Sequence, residues 1–157
     1  MKNYILKRIV RSILIFVNAG IFFALSILHF YWAFGGKLWY DLVLPTSSNG
    51  LHKFNPGKAA TLIVAFSLLC LILITVGNKG FFDRYIRRKY FHYGTLAIAV
   101  VFLIRAIGDF KFVGFFKTVK WTKFGISDTQ IYSPLCLFIA LSSGLIFIFN
   151  KTPGAKI

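Results

Sequence analysis

Four long stretches of nearly unbroken apolar residues divide the chain, covering about 12–36, 59–77, 91–110 and 131–150. Each is close to the ~20 residues that a helix needs to cross ~30 Å of hydrocarbon. The pattern predicts an all-α integral membrane protein: a four-transmembrane-helix bundle forming a single membrane domain over residues 1–157. The loops at 37–58 and 111–130 then share one side. The first stretch opens on a basic head, as a secretory signal does. Its apolar run is about twice as long as a typical signal core and no small-residue cleavage pattern follows, so it reads as a retained helix.

Composition agrees with the pattern. Of the 157 residues 57% are hydrophobic and only 15% charged, against roughly 25% charged in soluble domains. The net charge of +15 would suggest nucleic acid in a soluble chain. Here the cations cluster between apolar runs and no nucleic-acid-reading motif accompanies them, so anionic lipid headgroups are the expected partners. Eleven of the nineteen cations fall in the N-terminal head, the 78–90 segment and the tail. The positive-inside rule assigns that side to the cytoplasm and predicts both termini there, in a multi-pass protein of the cell (plasma) membrane. Trp32, Trp39 and Trp121 all fall on the opposite, outer side, as an interfacial aromatic belt would.

Polar residues inside the spans come next. At ~1.5 Å per residue, His29 lies about 26 Å up the first helix, and Arg105 and Asp109 about 21 and 27 Å up the third. Tyr132 opens the fourth span at the outer boundary, with Cys136 one turn deeper. His29 belongs to a three-and-four stripe with Asn18, Phe22, Leu25, Trp32 and Gly36. Ionisable groups at such depth face the bundle interior or water rather than lipid. A polar outer-leaflet pocket formed by His29, Trp32, Arg105, Asp109, Tyr132 and Cys136 is therefore expected.

Arg105 and Asp109 are i,i+4 neighbours, but the order is the poorer one for a helical ion pair, and the carboxylate sits near the negative end of the dipole. A third group is needed beside Asp109: His29, Tyr132 or a lysine of the last loop. The plain alternative is that Arg105 snorkels to the headgroups while Asp109 caps the following loop. In that loop Phe112, Phe115, Phe116 and Val119 recur at helical spacing, predicting a short amphipathic segment in the interface. Pro45, Pro56 and a Ser-Ser-Asn-Gly turn signal mark the first outer loop.

Chemistry-bearing motifs are few. Cys70 and Cys136 form no CxxC or zinc spacing and read as small buried apolar residues. His52 and His92 share no level with His29, which argues against a haem between two spans. No metal site and no cofactor are expected, and no hydrolase, P-loop or dinucleotide signature occurs. The inner half of the membrane offers only Asn18, Ser67, Cys70 and Thr75, too little for a proton path.

"LHFYWAFGG" (28–36), "RAIGDFKFVGFFK" (105–117) and "DTQIYSPLC" (128–136) together resemble a family of small bacterial four-span membrane proteins catalogued only as a domain of unknown function. The resemblance covers nearly the whole chain and implies the four-span architecture. It marks His29, Trp32, Pro45, Arg105, Asp109, Tyr132 and Cys136 as motif positions without giving them roles. Three readings follow: a module binding a lipid or other amphiphile, serving also as accessory subunit of a membrane-protein partner; a small intramembrane enzyme acting on a lipid, with His29 or Asp109 as base; and a structural protein without ligand.

Overall fold

The computed structural model describes residues 2–45 and 56–150. The Ser-Ser-Asn-Gly signal, His52 and the tail cations lie outside them. Helix α1 spans Lys2–Ala33, α3 Lys58–Gly77, α4 Arg88–Ile107 and α6 Ser133–Phe149. One-turn α2 (Tyr40–Val43) follows α1, while α5 (Lys123–Ser127) and a π turn (Asp128–Tyr132) lead into α6. All four long helical stretches are long and apolar enough to cross a membrane, the last counted from Lys123 to Phe149. No strand occurs among the described residues.

The helices close into a ring in which α1 and α4 each pack on both α3 and α6. Its centre takes one large side chain from each helix: Phe22, Leu68, Ile98 and Ile139. The outward faces stay apolar, with Phe23, Ile63, Val101 and Ile148 all more than half exposed. A soluble protein does not leave such a surface uncovered, whereas hydrocarbon covers it at no cost.

At 32 residues α1 is about 48 Å long, so roughly a third of it, with Lys7, Arg8 and Arg11, extends beyond a ~30 Å core. It therefore starts ten residues before the predicted span. Its other end is a Schellman turn, in which Gly35 (φ 93°) and Gly36 donate to Trp32 O and Tyr31 O at 3.0 and 2.9 Å. The third helix ends at Ile107, short of the predicted Phe110, because Gly108 (φ 94°) turns the chain away.

The start of the fourth span differs most from the sequence reading. Thr122 caps α5 by accepting from the Gly125 N–H at 2.9 Å, so the helix begins eight residues before the predicted 131. Pro134 has no N–H for the carbonyl four residues back. Directly before it the backbone widens to the π turn, where the Ser133 N–H bonds to Asp128 O, five residues back. That widening stacks Ser133 on Asp128.

Candidate functional site

Asp128 is the centre of the end of the bundle at which loop 108–122 lies. It is fully buried and was read from sequence only as a loop residue. Its Oδ1 accepts from Arg105 Nη2 at 2.8 Å, while Oδ2 accepts from Lys117 Nζ at 2.9, Gly114 N at 2.8 and Ser133 Oγ at 3.0 Å. Lys117, also fully buried, gives its remaining protons to Gly114 O at 3.0 and Thr129 Oγ1 at 2.6 Å. Thr129 passes its own proton to Gly125 O at 3.0 Å. An ammonium has three donors, and all three are used.

Burying two charges costs several kcal/mol per ion unless pairing and hydrogen bonds compensate. Here the compensation comes from three segments at once: the end of α4, loop 108–122 and the π turn. The result is a knot that pins the loop across the bundle. Glycine is required where the loop crosses, since a Cβ on Gly108 would stand 1.7 Å from Val113 O and one on Gly114 2.3 Å from Ile107 O.

The predicted Arg105–Asp109 pair is not formed. Asp109 lies beyond the end of α4, exposed, and its Oδ1 accepts from the N–H groups of Lys111, Phe112 and Val113 at 2.9, 2.7 and 2.9 Å. It caps the loop turn, the plain alternative. Burial opposes its charge, but the Val113, Phe112 and Lys111 amides outweigh that and hold the carboxyl below the usual carboxylate range. A lysine of the last loop does serve a carboxylate, but that carboxylate is Asp128. The amphipathic helix expected over Phe112–Val119 is likewise absent: residues 108–122 are turns closed by Phe115 N→Ala106 O and Val119 N→Lys111 O, at 2.9 and 3.0 Å. Phe110 and Trp121 still project outward.

The other expected site residues divide into two groups. Tyr132 and buried Cys136 lie within electrostatic reach of Asp128, and Cys136 also of Arg105. His29 and Trp32 belong elsewhere. The His29 Nδ1 is 2.8 Å from Leu25 O of its own helix, its ring meets Trp32 edge-on at 5.0 Å, and Trp32 Nε1 donates to Leu38 O at 2.8 Å. No hydrogen bond or ion pair joins His29 or Asp109 to Arg105 or Asp128 among the described residues. Cys70 is exposed on the lipid-facing surface rather than buried.

Beside Trp32 on α1 runs an open apolar groove of about 360 Å³. Ala24, Leu25, Ile27, Leu28 and Tyr31 line it from α1, and Leu38 and Trp39 from the segment that follows. Trp39 has left-handed backbone (φ 59°).

The opposite end carries a polar chain that the sequence reading also missed. Arg11 Nη1 donates to Asn150 Oδ1 at 2.7 Å, Asn150 Nδ2 to Asn78 Oδ1, and Asn78 Nδ2 to Thr95 Oγ1 at 2.7 Å. In mid-bundle, Asn18 donates to Ser143 Oγ at 3.1 Å and accepts from Ser142 Oγ at 2.8 Å. These contacts bring α1's beginning and α6's end together, so the N-terminal head and the end of the last span share one end of the bundle.

Fold and geometry define a four-span helical membrane protein whose 108–122 loop is tied down by two cations on a buried carboxylate. The chain belongs to the family described as "Protein of unknown function (DUF3995)", which matches residues 22–143 and thus takes in both halves of the knot. No curated protein and no solved structure matches it.

Proposed function

We propose that this protein is a binding module of the membrane that holds the apolar chain of a lipid or other amphiphile against α1 in the outer leaflet. The groove supports this reading: its lining is almost wholly apolar, and Leu38 and Trp39 from the following segment join the α1 residues along it, which a plain lipid-facing helix does not have. Lys37, next to Leu38 in the chain, is exposed and can meet an anionic headgroup. Of the residues expected to form a polar pocket, Arg105 is engaged by Asp128, which together with Lys117 has its bonding capacity filled within the chain. The same argument weighs against the enzymatic reading, since Asp109 is engaged by three backbone amides and His29 Nδ1 by a carbonyl.

Native mass spectrometry of the full chain released from lipid discs tests the proposal. One amphiphile per chain should be retained, and Ala24→Phe or Leu28→Trp, which fill the groove, should abolish retention without lowering thermal stability. Val101→Trp, on the exposed face of α4, should leave it intact. Equal retention by all variants would refute the groove as the site.

A further inference from the structure

The end opposite the knot has the reverse electrostatic problem. Its cations, on the first turns of α1 and around 79–89, face Asp83 as the single acidic residue of that segment. Arg8 and Arg88 both act on Arg11 as like charges. Two of the three are held in place by contacts within the chain. Arg11 is tied through Nη1 to Asn150 at 2.7 Å. Arg88 Nε lies 3.7 Å from Asp83 Oδ2, and its Nη2 crosses Gly80 where a Cβ would stand only 2.8 Å away. Arg8 lies one turn from Arg11 on the same helix, with its side chain exposed.

Two features show that the cluster is incomplete within the chain. The Arg11 Nε is buried with no hydrogen-bond partner, and a buried donor without an acceptor is costly. Like charges converging at a hydrocarbon boundary are destabilising unless an anion lies among them. The turns that carry the arginines also expose Ile9, Ile13 and Phe16, each more than half exposed. An exposed apolar face beside a cationic centre fits an amphiphile better than a free ion.

We infer that Arg8, Arg11 and Arg88 form a phosphate site between α1 and the start of α4, occupied by the headgroup phosphate of an anionic phospholipid in the leaflet at that end. Guanidinium groups suit it because their planar forks give paired hydrogen bonds to phosphate oxygens. The site is separate from the α1 groove and does not depend on it.

The test uses the full chain in discs of phosphatidylcholine alone or mixed with phosphatidylglycerol, read by thermal shift and by native mass spectrometry of retained lipid. Phosphatidylglycerol should raise the melting temperature and be retained selectively. Arg8→Gln and Arg88→Gln, both at solvent-accessible positions, should each weaken that retention about fivefold, and Arg88→Lys should restore part of it. Lys120→Gln, which removes equal charge from the other end, should change it little. If inorganic phosphate in phosphatidylcholine discs reproduces the shift, and Arg88→Gln abolishes it, the phosphate site stands with a soluble ligand. The inference is overturned if the arginine variants retain phosphatidylglycerol as well as the lysine control does.

Discussion

The two ends of the bundle solve the same problem with different chemistry. At the end held by the knot a loop with no regular structure must be fixed across the helices, and a buried carboxylate with two cations does it. At the basic end the helices already meet, and the side chains that link them are mostly neutral: Asn78, Thr95 and Asn150 link α3, α4 and the end of α6, and Arg11 adds α1. Removing one partner of a neutral bond leaves an unpaired dipole, whereas removing one partner of a buried ion pair leaves an unpaired charge. The knot end should therefore be the more brittle.

The largest expected effect is at the knot. Asp128→Asn strands Lys117 and should cost ~3–5 kcal/mol, measured by unfolding in detergent micelles. Adding Lys117→Met should recover part of that loss by removing the stranded cation. Gly108→Ala comes next, at about 1–3 kcal/mol for a side chain forced into left-handed backbone against Val113 O. At the basic end Asn78→Ala should cost about 1–3 kcal/mol by leaving buried partners unsatisfied. If it costs more than Asp128→Asn, the contrast between the ends fails.

The smallest effect is at Asp109 and appears as a pH dependence. Its folded carboxyl titrates below the usual range, so its contribution is complete above the unfolded value of about 4 and is lost as pH falls through the lower folded value. Hydrogen exchange at the Phe112 and Val113 amides should follow that sign, and Asp109→Asn should flatten it.

Sequence carried most of the fold and little of the knot. Apolar runs report hydrocarbon crossing directly, so four spans could be read from their lengths alone. The outer segment was harder because its helical spacing of Phe112, Phe115 and Phe116 is coincidental: Gly108 and Gly114 take backbone conformations that break a helix (φ 94° and 89°). Arg105 was paired with Asp109, one turn on, and the further group was sought for Asp109, whereas the carboxylate that Arg105 meets is Asp128. The overlooked signal was Thr122 followed by Gly125, a capping threonine that starts the last helix early and brings Asp128 level with Arg105. Asn78 and Asn150 went unread because each ends a span, where an amide ordinarily meets water. The groove was not readable at all, since Leu38 and Trp39 reach it only through the turn that follows α1.

Double-mutant cycles in detergent unfolding test the central claim, that Asp128 rather than Asp109 is the carboxylate that Arg105 serves. Combining Arg105→Gln with Asp128→Asn should give a coupling above about 1 kcal/mol, while combining it with Asp109→Asn should be additive within about 0.5 kcal/mol. Strong coupling of Arg105 to Asp109, with additivity at Asp128, would contradict the account.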